Sequence, residues 1–136
     1  MANHIVWKGA SGKTYRYWFL GTTLAVVPGE IKHTAGNYMF VKRSGSGWLP
    51  VYIGQTGSLR NRIPDHPELP CAKRNSGTRI MSHSTSNAEQ LRRKEESDLI
   101  ANYSPPCNQA SNVRVSRIGV GFRRSQNGLL SDRGCW

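Results

Sequence analysis

The sequence predicts a small mixed α/β domain, on three observations. Strand-forming runs come in pairs joined by turn residues, and a later segment places apolar residues at helical spacing behind an S-x-x-E start. The chain has 136 residues, which sets a limit of one domain with a modest core.

The first pair of runs is Ile5-Val6-Trp7 and Thr14-Tyr15-Arg16-Tyr17-Trp18-Phe19-Leu20, with the turn composition Gly9-Ala10-Ser11-Gly12 between them. Residues 21–35 are mixed, with apolar Leu24-Ala25-Val26-Val27 running into a Pro28-Gly29 turn. A second hairpin joins Tyr38-Met39-Phe40-Val41-Lys42 to Pro50-Val51-Tyr52-Ile53-Gly54 through Ser44-Gly45-Ser46-Gly47. Side chains alternate across a strand, so Tyr38 and Phe40 share one face while Met39 and Val41 share the other. By the same rule Tyr52 opposes Val51 and Ile53. One hairpin can therefore present both tyrosines on one face.

Residues 56–63 read as a short helix capped by Thr56 or Ser58. Residues 64–77 hold Pro64, Pro67 and Pro70 and read mostly as loop. Residues 78–82 fit a further strand. The strongest helix signal follows: Ser86-Asn87-Ala88-Glu89 forms a capping-box pattern, and Ala88, Leu91, Leu99, Ile100 and Tyr103 recur at helical spacing before Ser104-Pro105-Pro106 stops the helix. The organisation expected is an N-terminal hairpin extension over 1–35 packed on the same domain, a chemistry-bearing domain over 36–108, and a basic, flexible tail over 109–136.

Nineteen Lys and Arg against eight Asp and Glu give a formal charge of +11. The surplus is spread, at about +3, +4 and +4 over the three sections. A surplus this large in so short a chain favours a polyanionic partner, nucleic acid before an acidic membrane. No run of eighteen apolar residues exists to span a bilayer, and the opening residues lack a secretory pattern, so a cytoplasmic protein is expected. Three cysteines (Cys71, Cys107, Cys135) without a C-x-x-C pair argue against a disulfide framework. His66, Cys71, His83 and Cys107 do not have structural-zinc spacing.

Gly36-Asn37-Tyr38 and Tyr52-Ile53-Gly54 resemble the paired tripeptides that name the GIY-YIG nucleases. Arg62 lies ten residues after Tyr52, and His66 four further on, as an arginine and a histidine or tyrosine do in that family. Glu96-Ser97-Asp98-Leu99-Ile100-Ala101-Asn102-Tyr103-Ser104-Pro105-Pro106-Cys107-Asn108 matches the family pattern E-x-x-L-I-x-x-Y-x-P-x-x-N throughout. The resemblance covers about residues 36–108. It implies a central antiparallel sheet flanked by helices and an endonuclease site built from Tyr38, Tyr52, Arg62, His66, Glu96 and Asn108. Two departures stand out. Asn37 replaces an isoleucine but points away from the face of Tyr38, and Gln55 occupies a position where many relatives carry a lysine.

The residue types suit the chemistry. Phosphodiester hydrolysis needs stabilised charge in the transition state and a deprotonated water. Arg62 stays protonated and fits phosphate oxygens bidentately. Glu96 is a hard oxygen ligand for one Mg²⁺ or Mn²⁺, and no small-molecule cofactor is expected. Tyr38 or His66 could act as general base, Tyr38 needing help because a free tyrosine titrates near 10. Asn108 would support the site by hydrogen bonding. Glu96 lies in a charged run, Arg92 to Glu96, at the edge of the buried stripe; Glu95 points elsewhere, and His83 reads as a strand-end histidine. The expected substrate is DNA, cut with low sequence specificity by a monomer or weak dimer. A catalytically silent nucleic-acid-binding module and an RNA-directed nuclease are the competing readings.

Overall fold

A computed structural model describes residues 3–109 of the chain. The tail expected over 109–136 lies outside the described residues, apart from Gln109. The strands are β1 (His4–Lys8), β2 (Thr14–Leu20), β3 (Gly36–Ser44), β4 (Gly47–Thr56) and β5 (Arg79–Ser84). They form one five-stranded sheet in the order β1-β2-β5-β3-β4, antiparallel at each pairing. Helices α1 (Leu59–Arg62), α2 (Leu69–Arg74) and α3 (Glu89–Tyr103) complete a mixed α/β domain. Among the described residues no helix is long and apolar enough to cross a membrane.

The alternation of β3 builds two cores, one on each face of the sheet. Tyr38 and Phe40 pack with Leu59 and Ile63 around α1 and with Ala72 of α2. Met39 and Val41 pack on the opposite face with Trp7, Tyr17 and Leu99 of α3. Leu99 is fully buried, so truncating it to alanine is expected to cost about 2–5 kcal/mol. On the two outer strands the odd-numbered residues Ile5, Trp7, Tyr15, Tyr17 and Phe19 belong to this second core.

Several local expectations fail, each for a physical reason. The register of β3 and β4 shifts between Phe40 and Val41, so Val51 joins Tyr52 in the core around Tyr38 instead of opposing it. The proline-rich segment contains α2: Pro70 sits in its first turn, where the missing N–H would have had no helical partner anyway. The capping box does not form. Helix α3 begins at Glu89 behind Ala88, and the Ser86 hydroxyl instead accepts from the Ala88 N–H. Leu91 is 55% exposed, whereas Arg92, one residue on, is only 6% exposed. Cys71 and Cys107 are joined in a disulfide, which ties α2 to the chain just beyond α3.

Other expectations hold. Ser58 caps α1, its side chain accepting from the Asn61 N–H. Ser104 ends α3 with a φ of 44°, the left-handed conformation that stops a helix, and Pro105 follows.

Candidate active site

The two tripeptides meet across the β3–β4 pair. Tyr38 lies opposite Gly54, and its ring crosses the space that a Cβ at Gly54 would occupy, 2.6 Å from the phenol oxygen. Any larger residue there would push Tyr38 off the sheet. Gly36 is constrained likewise by the His83 carbonyl and the Leu59 side chain. The glycines therefore let the tyrosine lie flat while the helix α1 closes over the strand.

Tyr38, Tyr52 and His66 form a compact ring cluster with Phe40. Ring centroids lie 6.1 Å apart for Tyr38 and Tyr52, and 5.0 Å apart for Tyr52 and His66. The Tyr38 Oη is 2.6 Å from His66 Nε2. The Glu68 N–H donates to His66 Nδ1 at 3.0 Å, which leaves the proton of a neutral imidazole on Nε2. His66 is buried, and burial followed by the charge of Arg62 pushes its pKa down to about 4. At neutral pH it is therefore an uncharged donor to Tyr38. With both nitrogens committed, His66 is not placed to take a proton directly; it positions Tyr38.

Arg62, on the last turn of α1, is exposed as a residue, but its guanidinium is partly desolvated where it hydrogen-bonds to the two tyrosine hydroxyls. Its bond to Tyr38 strengthens its own hold on its proton. Burial raises the Tyr38 pKa well above its ordinary value, with Tyr52 adding to the rise and Arg62 opposing it. Burial also raises Tyr52, with the bond from Tyr38 opposing and the charge of Glu96 adding. Both phenols are thus neutral in the resting protein, and Arg62 opposes the rise at Tyr38 only in part.

Glu96 comes to this group from α3 and is felt electrostatically at Tyr52. It is half-buried, and among the described residues no hydrogen bond holds its carboxylate. Burial raises its pKa and the charge of Arg93 partly opposes the rise. A carboxylate desolvated without a hydrogen-bond donor fits a hard divalent cation whose remaining positions are filled by water. No three His, Cys, Asp or Glu side chains converge on a metal position among the described residues. Asn108 bonds twice to one residue of β4: its Oδ1 accepts from the Ile53 N–H and its Nδ2 donates to the Ile53 carbonyl, both at 2.9 Å. It clamps the strand between Tyr52 and Gly54. Comparison with protein-family models, curated proteins and solved structures finds no match to this chain.

All six residues singled out from the sequence therefore lie on or beside the Tyr38–Tyr52 hairpin. Sequence reasoning missed the partners that support them. Asn37 is fully buried; it donates to the Arg92 carbonyl and accepts from the Thr85 hydroxyl, anchoring β3 to the start of α3. The Arg92 guanidinium donates to Gln55 Oε1 and to the Ser86 carbonyl. Gln55 is thus occupied as an acceptor for a buried cation. The Glu68 main chain, which fixes the His66 tautomer, follows from the short His66-Pro67-Glu68 turn.

Proposed function

We propose that this chain is a nuclease of the GIY-YIG type, hydrolysing DNA phosphodiester bonds with the help of one Mg²⁺ or Mn²⁺. The observation that carries the reading is the convergence of Arg62, His66 and both tyrosines on one spot, beside a carboxylate with no hydrogen-bond donor among the described residues. Glu96 would hold the cation, which when bound supplies positive charge to polarise a phosphate oxygen and to favour the ionised form of the nearby phenol.

The remaining work falls to the chain itself. Arg62, exposed and always charged, grips two oxygens of the scissile phosphate and stabilises the charge that grows on them. Tyr38 Oη, after releasing its own proton through Tyr52 to solvent, accepts the proton of the attacking water, and the departing oxygen takes a proton from a second water. His66 Nε2–H and Arg62 stay in place to stabilise that phenolate before the transfer and to orient the phenol after it. Tyr52 accepts from Tyr38 and keeps its ring in place. Asn108 fixes the strand that carries Tyr52. None of these groups reads a base, so cleavage has low sequence specificity and depends strongly on salt through phosphate contacts.

The test uses circular single-stranded DNA and supercoiled duplex DNA, each with Mg²⁺, Mn²⁺ or EDTA, and a Glu96→Ala protein alongside. Circular substrates offer no ends, so cutting identifies an endonuclease. Metal-dependent cutting that disappears in Glu96→Ala is the expected result. Full cutting by Glu96→Ala would overturn the reading, and retained DNA binding with no cutting under any condition would leave a binding module.

A further inference from the structure

The sheet face that carries Tyr38 continues beyond its helices. Helices α1 and α2 pack over β3, β4 and β5 on that face, while the outer strands β1 and β2, as far as Trp18, turn their even-numbered residues outward and Leu20 packs against the first core. Along β2 these are Thr14, Arg16 and Trp18, paired across the hairpin with Lys8, Val6 and His4. Trp18 is 47% exposed and its ring lies 4.8 Å from that of His4. Arg16, Lys8 and Val6 are exposed as well, and no acidic residue lies on this face of the two strands. An indole lies uncovered on a strip that is otherwise basic or neutral.

This strip is in register with the candidate site. His4 pairs with Trp18, Trp18 with Ser82, Ser82 with Tyr38, and Tyr38 with Gly54. One row of the sheet therefore runs from the exposed indole to the phenol of the site, two strand spacings or about 10 Å away. Beside Trp18 the row borders a cleft lined by Trp18, Ser82, Leu59 and Lys32, with exposed Lys32 at its rim. Glu30 also lines the cleft, but its carboxylate accepts from the Val27 N–H.

We propose that the outer face of β1–β2 is a platform for single-stranded DNA. A base stacks on Trp18, Arg16, Lys8 and Lys32 hold phosphates, and the strand passes over Ser82 toward Arg62 and Tyr38. An aromatic face beside basic side chains is what sequence-tolerant binding of an unpaired strand requires. The bases of a duplex are stacked on one another and present no face to the indole, so the platform selects unpaired over paired DNA. The direction of the strand toward Tyr38 rests on the nuclease reading. The binding itself does not.

The test measures binding of labelled oligothymidylate and of a matched duplex by fluorescence anisotropy, in EDTA, with the full chain. Trp18→Ala is expected to weaken oligothymidylate binding about tenfold or more and to leave duplex binding within about twofold. Trp18→Phe retains a stacking face and is expected to keep most of the affinity. Trp18 is outside both cores, so thermal unfolding of the alanine variant should match that of the parent protein. Equal oligothymidylate affinity for the parent and Trp18→Ala, or equal weakening for both DNAs, would overturn the platform. Trp18-dependent binding without any cleavage leaves the platform standing and removes the nuclease; Glu96-dependent cleavage without Trp18-dependent binding does the reverse.

Discussion

Glu95 and Glu96 are neighbours on α3, yet they meet opposite surroundings. The Glu95 carboxylate accepts from the Tyr17 hydroxyl and lies against His83 Nε2, each at 2.6 Å, so its charge is spent on holding α3 to β2 and β5. Glu96, turned about 100° around the helix, is desolvated with no hydrogen bond among the described residues. One position is a finished structural joint. The other carries a burial cost that the charge of Arg93 offsets only in part. Burial and chemical readiness are therefore separate properties: the hydrogen-bonded carboxylate contributes stability, and the carboxylate with no donor among the described residues is the better candidate for a ligand.

The largest expected effect breaks this contrast at Glu96. Under the nuclease reading, Glu96→Gln should lower the cleavage rate about a thousandfold or more, since several kcal/mol of charge stabilisation go with the cation. Stability, followed by chemical denaturation, should stay level or rise, because the variant removes a desolvated charge. Tyr38→Phe comes next. Loss of the Oη that accepts the water proton should cost roughly a hundredfold to ten-thousandfold in rate, with DNA affinity measured in EDTA unchanged.

The pH dependence sharpens the same contrast. The His66 pKa is pushed down to about 4, below its ordinary 6.5, so the unfolded chain binds the proton more readily. Its stability contribution is therefore complete above about 6.5 and is lost as pH falls toward 4, by about 3 kcal/mol. A His66→Gln protein should lose that part of the slope in denaturation curves between those pH values. Activity should also fall on acidification, and earlier than for an exposed carboxylate, because burial raises Glu96. The smallest effect on rate belongs to Glu95→Gln: turnover should remain within a few-fold of the parent, while stability drops by about 1–3 kcal/mol as the bond to buried Tyr17 weakens.

Much of this geometry could be read from the sequence, because it depends on local rules. Strand alternation put Tyr38 and Phe40 on one face, and a serine before a short polar helix gave the cap at Ser58. The tripeptide glycines, the arginine on α1 and the Glu96-to-Asn108 pattern marked the residues that the fold brings together. What escaped depends on distant partners. Arg92 is buried because Gln55 and the Ser86 carbonyl receive its N–H groups, which no helical periodicity reveals. Leu91 lies outside the stripe for the same reason: the helix is rotated to bring Arg92 inward. His83 on β5 and Glu95 on α3 meet only in the folded chain. The Cys71–Cys107 bond joins residues 36 positions apart, with no spacing motif to mark it. Helix α2 is hidden in the sequence because proline breaks a helix everywhere except in its first turn, and no local signal marks Pro70 as lying there. The exposed platform around Trp18 is legible only once the order of the strands is known.

Mn²⁺ binding followed by electron paramagnetic resonance decides whether Glu96, and not its neighbour, holds the cation. The parent protein, Glu95→Gln and Glu96→Gln would be titrated side by side without DNA. One bound Mn²⁺ is expected for the parent and for Glu95→Gln, with that binding lost in Glu96→Gln. Equal binding by all three proteins, or loss in Glu95→Gln alone, would contradict it.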